Sequence, residues 1–413
     1  MGGKKKLKDI KIKLSLDIYD LAWMASLAAV FVVTLEMFYR MIVNYNGRYE
    51  SDVKYYVTEN VREGIEHDRL LTIIFQFFYD INQGTLEANI YLAAVIVLLV
   101  IVNYLVIRYF VRSDGFSGKV SRHAIQFFSV AMLFIGPIYM PMLHEWLYRN
   151  SFASFAWHSP TQQSMTLAAL VSVVCFIEMY MTYEEKGIRP GLWIATMVST
   201  LIATGFKPSY TIDLCTAVAV MFVIDLIKGG KEDFFKRLTQ LFIIGCSLVP
   251  SGLYMIWLHT RTFAEDNQFG EEHRVIFDLS HVLSFDRLWA GVLFGITVPI
   301  IVFAFNRSKF RNTKYRVSLY VFIMGVLQWA LITETGTRGN FGNFTWGRIF
   351  GCYLITLASV PVLLEVFYDK DLLGRDSAKR KAFIALTSIA LVLAICSQLY
   401  YLWLIITGRG YWH

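Results

Sequence analysis

Asp52 is the first residue of the chain whose surroundings suggest chemistry. It lies in a polar stretch, residues 47–56, directly after the first long apolar run, beside Ser51 and amid three tyrosines. A carboxylate within hydrogen-bond reach of an acceptor hydroxyl can take up its proton as a general base. We therefore predict that Asp52 is a catalytic base. Two alternatives stay open, because loops of this kind carry acidic residues without a catalytic role and because Glu50 lies only two residues away.

Two cations occur where they could bind an anion. Lys207 stands in a very short polar turn between two apolar runs, and Arg338 lies in a glycine-rich segment, residues 334–347. Glycine lets the backbone approach a ligand closely, and both cations form charge-assisted hydrogen bonds with phosphate. We expect Lys207 and Arg338 to converge on one phosphate group. For Lys207 the alternatives are a side chain that snorkels to the membrane interface or an ion pair with Asp213.

Further polar residues lie close to these cations in the sequence. The glycine-rich segment also contains Glu334, Asn340 and Asn343, and His158 lies in the stretch 157–161, whose sequence is Trp-His-Ser-Pro-Thr. Carboxylate and amide groups supply the hydrogen-bond acceptors and donors that a polar ligand requires. We predict that all four residues bind substrate. The alternatives are a simple tight turn for the glycine-rich segment and a hydrogen-bonded structural role for the histidine.

The elements that position these residues are membrane-spanning helices. The chain has 413 residues, of which 56% are hydrophobic and only 17% charged, a composition unlike that of soluble globular proteins. A span needs about 20 consecutive, mostly apolar residues. Candidate runs cover residues 21–43, 88–110, 124–143, 164–181, 192–205, 209–227, 238–258, 288–305, 317–332, 349–367 and 382–407. We predict an all-α fold, a single transmembrane bundle of about eleven spans, in which 192–205 and 209–227 form a helical hairpin.

The distribution of basic residues predicts the orientation of this bundle. About two thirds of the 39 Lys and Arg residues fall on segments that eleven spans place on the same side as the N-terminus. By the positive-inside rule that side is cytoplasmic, so the C-terminus is outside. Residues 1–20 begin with a lysine-rich stretch and have no small-residue cleavage site, which indicates a retained basic cytoplasmic anchor. All the predicted site residues then lie on the outer side.

The first outer loop, residues 44–87, is too long to be a simple connector. It contains two amphipathic pieces, 53–65 and 70–81, and the second is strongly apolar but far too short to span a membrane. Such segments are typical of helices that lie in the membrane interface. We therefore predict interfacial helices in the loop that carries Asp52.

No cofactor is predicted from the sequence. The short inner loops contain no P-loop, dinucleotide fingerprint or paired-aspartate motif, and the five cysteines lack metal-ligand spacing. Dependence on a divalent metal is left open, since only Glu50 and Asp52 could hold one in the first outer loop. The net charge of +7 comes from basic loops between spans, so we expect contact with membrane lipids and no nucleic-acid partner.

The chain resembles the integral-membrane glycosyltransferases of the GT-C class. The resemblance rests on the many spans, the long first outer loop, and the motifs at Ser51-Asp52, 157–161, 207–209 and 334–346. It implies transfer of a hexosyl or related glycosyl group from a polyprenyl-phosphate or polyprenyl-diphosphate donor to an acceptor glycan or lipid. It also implies a multi-pass protein of the cell membrane, with Asp52 as base on the extracytoplasmic face. This chain departs from the class at one point: many relatives carry paired acids or a metal-binding pair in this loop, and here only Glu50 and Asp52 could form one.

Two other functions remain possible from the sequence. A lipid-linked polysaccharide polymerase or ligase of the cell envelope acts on the same donors but can rely on arginines without a carboxylate base. A secondary transporter would need ionisable residues near the bilayer midplane and some repeat symmetry. The chain offers little of either, because Glu36, Glu178 and Asp225 all fall near the ends of their runs.

Overall fold

The structure is a computed structural model that describes residues 17–43, 52–59, 69–82, 85–116, 118–139, 159–229, 234–266, 274–279, 292–335, 344–369, 372–374 and 377–407. These residues form a helical bundle. Its helices are α1 (Ile18–Val43), α2 (Leu70–Asn82), α3 (Thr85–Ser113), α4 (Arg122–Ala131), α5 (Pro160–Lys186), α6 (Pro190–Phe206), α7 (Ser209–Lys228), α8 (Phe234–Cys246), α9 (Val249–Asp266), α10 (Thr297–Phe305), α11 (Thr313–Leu331), α12 (Thr345–Tyr368) and α13 (Ala378–Ile406). Shorter helical turns cover Asp52–Lys54, Tyr55–Glu59 and Arg307–Arg311.

Six of these helices are long and apolar enough to cross a membrane, namely α1, α3, α5, α7, α12 and α13. Helices α8 and α9 pass the same test together, although the chain bends by 47° between them, and would make a seventh span. The helical bundle that the sequence predicts is therefore confirmed, and its long apolar helices are compatible with a multi-pass membrane protein. The count of eleven spans is not confirmed.

One predicted span, residues 124–143, is interrupted. Its helix α4 ends at Ala131, and the chain continues without regular structure to Tyr139. Pro137 explains the break, because proline has no N–H to donate and disfavours helix in the residue before it. The irregular backbone is buried and finds partners in the protein, as where the N–H of Tyr139 donates to Ser397 Oγ at 2.9 Å. Irregular backbone at membrane depth is tolerated under that condition.

Three other predicted spans are short or charged. Helix α6 has 17 residues, which at 1.5 Å per residue is about 26 Å, less than the hydrocarbon thickness of about 30 Å. Helix α10 has only 9 residues, and it follows a helical turn at 292–295 from which it is separated at Ile296. Helix α11 has 19 residues, but Lys314 and Arg316 lie in its first turn. Length in the first two and charge in the third keep them from qualifying as spans.

Helix α12 lies at the centre of the bundle. Its apolar window is entirely buried, whereas only 22% of the corresponding window of α1 is. Glycines bring its backbone close to that of α11. A Cβ on Gly325 would lie 2.9 Å from the backbone nitrogen of Arg348, and a Cβ on Gly351 would lie 2.7 Å from Phe322 Cα. Small residues that let backbones approach are characteristic of helix packing in membranes. This contact fixes the position of the first turns of α12.

The long helices define two ends of the bundle. Helices α3 and α5 run in the same direction, because Tyr91 contacts Ser164 near their starts and Tyr109 contacts Glu178 near their ends. We call the end where α3, α5, α7 and α12 begin the Lys207 end, and the opposite end the Glu365 end.

Smaller elements cover the Lys207 end. Helix α2 matches the predicted apolar segment 70–81 and packs by Leu70 against Gly205 near the end of α6. It has apolar residues on both sides, since Leu71 and Phe75 are buried while Ile73 and Phe77 are exposed. Strands β1 (Val275–Phe277) and β2 (Ile332–Glu334) form a two-stranded antiparallel sheet, in which Val275 is paired with Glu334. The sheet is a small addition to an otherwise helical fold.

Candidate functional site

Lys207 points into the bundle. It lies between the last residue of α6 and Pro208, which leads into α7, and its own N–H donates to Ala203 O at 2.9 Å. Only 7% of the residue is exposed. Its Nζ lies 3.4 Å from Thr161 Oγ1, to which it donates, and 3.7 Å from the ring centre of Trp346. A buried ammonium group is incompatible with the alternative of a lysine that snorkels outward.

The two contacts of Lys207 come from distant parts of the chain. Thr161 is in the first turn of α5 and Trp346 in the first turn of α12. Gln162 Nε2 also donates to Trp346 O at 3.5 Å, which ties the two helices together. A desolvated cation over an indole ring gains about 2 kcal/mol. The structure thus brings together one described residue from each of three motif stretches on which the sequence resemblance rests, namely Thr161, Lys207 and Trp346.

Three helices begin around Lys207. Helix α5 begins at Pro160, α7 at Ser209 and α12 at Thr345. The first N–H groups of a helix have no partner within it, and the helix dipole makes this end partly positive. Such ends bind phosphate and other anions. The electrostatic field of the Lys207 site therefore favours a negatively charged group even before side chains are considered.

Arg348 adds a second buried cation. It is 1% exposed, lies in the same first turn of α12 as Trp346, and its Cζ is 3.7 Å from the ring centre of Trp329 in α11. The sequence analysis missed this residue. The signal was a charged residue placed directly before an apolar run and after Trp346 and Gly347, where a simple membrane anchor has no need of it.

Asp213 is the carboxylate of this region. It lies in the second turn of α7, is 1% exposed, and its Oδ2 makes no hydrogen bond in the part of the chain that the structure describes. A Cβ on Gly347 would lie 2.3 Å from that oxygen, so the carboxylate fills the space that the glycine leaves. No ion pair joins Asp213 to Lys207 among the described residues, contrary to the alternative considered from the sequence. An unsatisfied buried carboxylate is costly, which makes a functional role plausible.

Asp52 lies in the segment between α1 and α2. It is half-buried at the start of the turn Asp52–Lys54, while Val53 and Tyr56 beside it are buried. This segment packs against α1, α2 and α3. The carboxylate is close enough to Tyr401 of α13 for an electrostatic interaction with its phenol. Asp52 thus lies between the first and last long helices, and α2 links its loop to the Lys207 site.

The remaining predicted residues divide into two groups. Glu334 is partly exposed in β2, where it pairs with Val275, at the Lys207 end. The others lie outside the described residues: His158, Arg338, Asn340 and Asn343. The predicted convergence of Lys207 and Arg338 is therefore untested. Arg338 follows β2 and precedes α12, so it belongs to the connection between two elements of the same end.

The Glu365 end is organised differently. Lys314 Nζ lies 2.6 Å from Asp114 Oδ1, Tyr315 donates to Asp114 Oδ2 at 2.7 Å, and Lys309 pairs with Glu365. Burial raises the pKa of the Asp114 carboxyl, but hydrogen bonds with Glu365, Lys314 and Tyr315 outweigh it and hold the pKa below its ordinary value. Each buried cation here faces a carboxylate, which is the pattern of a structural ion-pair network.

A possible metal-ligand group also lies at the Glu365 end. Among the described residues, Asp17, Asp20 and His123 are close enough to share an ion. Arg122 Nη2 already donates to Asp17 at 3.2 Å and to Asp20 at 2.7 Å. The group is therefore accounted for as the counter-charge of an arginine.

Comparison of the chain with models of known protein families and with curated proteins found no match. The chemistry has to be inferred from the residues themselves. At the Lys207 end, buried Lys207 lies beside three helix N-termini with hydroxyl and amide groups, and buried Arg348 and Asp213 lie in the first turns of α12 and α7. This arrangement suits the binding of a phosphate or another oxyanion.

Proposed function

We propose that this protein is a GT-C-type glycosyltransferase of the cell membrane. It would transfer a hexosyl or related group from a polyprenyl-phosphate or polyprenyl-diphosphate donor to an acceptor glycan or lipid on the extracytoplasmic side. The observation that carries the proposal is the Lys207 site, where buried Lys207 and Arg348 meet three helix N-termini. A site of this charge at one end of a membrane bundle fits the phosphate of a lipid-linked sugar.

The donor would bind with its phosphate at Lys207 and Arg348 and with its lipid chain against α2. Both cations would stabilise the negative charge that develops on the leaving phosphate. Arg338, which precedes α12 in the chain, would reach the same phosphate as a third cation. Exposed apolar residues of α2, Ile73 and Phe77, offer a surface for the polyprenyl chain in the interface.

Asp52 would act as the base of a direct displacement. Its carboxylate takes the proton of the acceptor hydroxyl while that oxygen attacks the anomeric carbon and forms the new glycosidic bond. The bond between the anomeric carbon and the phosphate oxygen breaks, and the phosphate leaves with the electron pair. One carboxylate suffices because the phosphate carries its own charge and needs no proton to depart, and the reaction inverts the anomeric configuration.

Four polar residues would hold the sugars near this centre. Glu334, Asn340 and Asn343 belong to the connection before α12, and His158 precedes α5. Hydrogen bonds from such groups to sugar hydroxyls would orient the donor and the acceptor.

The proposed topology has eleven spans with the N-terminus inside and the C-terminus outside. Five further spans would join the six longer helices. They are α6, the bent pair α8 and α9, the segment 292–305, α11 and the interrupted segment 124–143 that begins with α4. A reporter fused after His413 is expected to behave as extracytoplasmic. A cytoplasmic reporter would show that the count is wrong by one span.

The decisive experiment is sugar transfer by purified Asp52→Asn protein from a polyprenyl-linked donor. This change keeps the shape of the side chain and removes its basicity, so we expect activity to fall by about 10²- to 10⁴-fold. Glu50→Gln is the matched control, because it makes the same chemical change two residues away. Activity within a few-fold of wild type in Asp52→Asn, with Glu50→Gln inactive, would move the base to Glu50.

Arg348 favours a second candidate function, a polysaccharide polymerase or ligase that uses the same donors without a carboxylate base. In that case Asp52→Asn and Glu50→Gln both stay active, whereas Arg348→Lys loses activity. Lysine preserves the charge but not the planar fork that binds phosphate through two hydrogen bonds, so the loss reports on arginine chemistry.

A further inference from the structure

A second charged site lies at the Glu365 end, away from the proposed active site. It is a cavity of about 350 Å³ between the last turns of α3 and the start of α4. Its lining residues are Tyr104, Arg108, Val111, Arg112, Val120, Arg122 and Ile125. Three arginines on one small cavity repel one another, so the arrangement requires negative charge nearby.

Among the described residues, carboxylates form ion pairs with one of these three arginines. Arg122 is held by Asp17 and Asp20, with N···O distances of 3.2 and 2.7 Å. Arg108 and Arg112 are exposed and four residues apart, and among the described residues no carboxylate forms an ion pair with either of them. The contact described for Arg108 is with the ring of Tyr104, at 6.0 Å from its Cζ. The cavity therefore has two guanidinium groups available to a ligand.

The surface beside these two arginines is apolar. Leu98 and Leu105 are about half exposed, at 47% and 53%, and lie on the same face of α3 as Arg108 and Arg112. Residues three, four and seven apart share one face of a helix, so this stripe runs straight from the leucines to the arginines. Arg108 and Arg112 lie in the last turns of a 29-residue helix, where an interfacial position is expected.

We propose that this cavity binds the phosphate of an anionic phospholipid, with Arg108 and Arg112 on the headgroup and the acyl chains along Leu98 and Leu105. Basic pockets between transmembrane helices are known to take such headgroups. A soluble anion would use the arginines but would leave the adjoining apolar stripe without a function.

The test compares lipid binding to the purified full-length protein by native mass spectrometry. The probes are phosphatidylglycerol, phosphatidylcholine with the same acyl chains, and inorganic phosphate. Wild type is expected to bind phosphatidylglycerol at least about tenfold more tightly than phosphatidylcholine. The double variant Arg108→Gln with Arg112→Gln should bind phosphatidylglycerol about 25-fold more weakly, about fivefold for each charge, with phosphatidylcholine unchanged.

The matched control is Arg307→Gln with Arg311→Gln, which removes two exposed arginines, also four residues apart, elsewhere at this end. It should bind both lipids as wild type does. An equal loss in the control would overturn the proposal, because it would show a general effect of charge. Full competition by inorganic phosphate would also overturn it in favour of a soluble anion. Equal binding of the two lipids by wild type would overturn it without any variant, so the test does not depend on how the variants fold.

Discussion

Helix α12 carries a buried charge near each of its ends, and the two charges have different surroundings. Arg348 and Glu365 are 1% and 0% exposed, and 17 residues at 1.5 Å each separate them by about 26 Å. Around Glu365 each carboxylate has a cation, with Lys309 on Glu365 and Lys314 on Asp114, although Glu365 Oε1 makes no hydrogen bond among the described residues. Near the other end of α12 the Arg348 guanidinium lies over the ring of Trp329, and the neighbouring Asp213 has no ion pair among the described residues.

The different surroundings of Arg348 and Glu365 suggest different roles for these buried charged residues. A buried ion pair with good geometry roughly offsets its desolvation cost, so the Glu365 end is stable as it stands. Buried polar groups that are imperfectly matched persist in proteins mainly at functional sites, where a ligand completes them. Under the proposed function, the Glu365 network belongs to the fold and the Lys207 site to the reaction. Stability measurements should respond to changes at the first, and transfer measurements to changes at the second.

The largest expected effect is at the structural end, from Lys314→Met. Lys314 is fully buried and Asp114 nearly so, and removing Lys314 leaves Asp114 with only the more distant Lys309, at 3.4 Å, as a cation, a loss that destabilises by up to about 3 to 5 kcal/mol. The measurement is thermal unfolding of the purified protein in detergent. Combining the change with Asp114→Leu should recover most of the loss, because the second charge is then removed as well. A double variant as unstable as Lys314→Met would mean that the pair has a role beyond charge balance.

The second effect is on turnover, from Lys207→Met. Each charge-assisted contact with a phosphate contributes roughly 1.5 to 3 kcal/mol, so we expect transfer to fall by one to two orders of magnitude with little change in unfolding temperature. Lys119→Met is the control, since Lys119 is an exposed lysine that pairs with Asp369 at the Glu365 end. Normal transfer by Lys207→Met would remove this residue from the site and weaken the contrast between the two ends.

The sequence predicts the longer helices and fails at specific places for physical reasons. A run of apolar residues such as 88–110 exceeds the length of a span and forms α3 as expected. The run 124–143 looks equally apolar, but it contains Pro137 and Pro141, and in its described part the backbone beyond α4 is held by tertiary contacts such as that of Tyr139 with Ser397. Apolar composition alone therefore overestimates the number of regular spans.

For the candidate site, the sequence identifies the stretches but not all of the side chains. Lys207 stands out because a short turn at the outer end of a hairpin is an unusual place for a cation. Arg348 does not, because it lies in the first turn of a 24-residue, mostly apolar helix, and its burial depends on packing against Trp329 from another helix. Asp213 follows Lys207 by six residues, so the sequence suggests an ion pair between them. Its contact with Gly347, more than 130 residues away, depends on the tertiary fold and leaves no local signal.

The third prediction concerns the contact between Gly347 and the Asp213 carboxylate at the Lys207 end. Gly347→Ala forces a methyl group onto the Asp213 carboxylate, and overpacking of this kind destabilises by about 1 to 3 kcal/mol. Asp213→Ala should relieve the clash when added to it. The readouts are unfolding temperature and sugar transfer for the four members of the cycle.

The two roles open to Asp213 give different results in this cycle. If the carboxylate serves the reaction, the double variant regains stability but not transfer. Recovery of both would show that Asp213 only fills the space beside Gly347. In that case the Lys207 site would contain cations alone, as the polymerase or ligase alternative requires.

The smallest expected effect is a pH dependence at the structural end. Because its hydrogen bonds hold the pKa of Asp114 below the ordinary value, the folded protein keeps this carboxylate charged at a pH where the unfolded chain takes up a proton. The stabilisation is fully present above about pH 4, near the ordinary pKa of aspartate, and is lost as the pH falls through the lower folded value. Unfolding temperatures measured from pH 6 downward should therefore decline below about pH 4. Asp114→Asn should flatten this decline, whereas Asp80→Asn, a change at an exposed residue of α2, should leave it unchanged. An identical decline in Asp114→Asn would show that other carboxylates govern the acid stability, and the network at the Glu365 end would then not depend on the charge of Asp114.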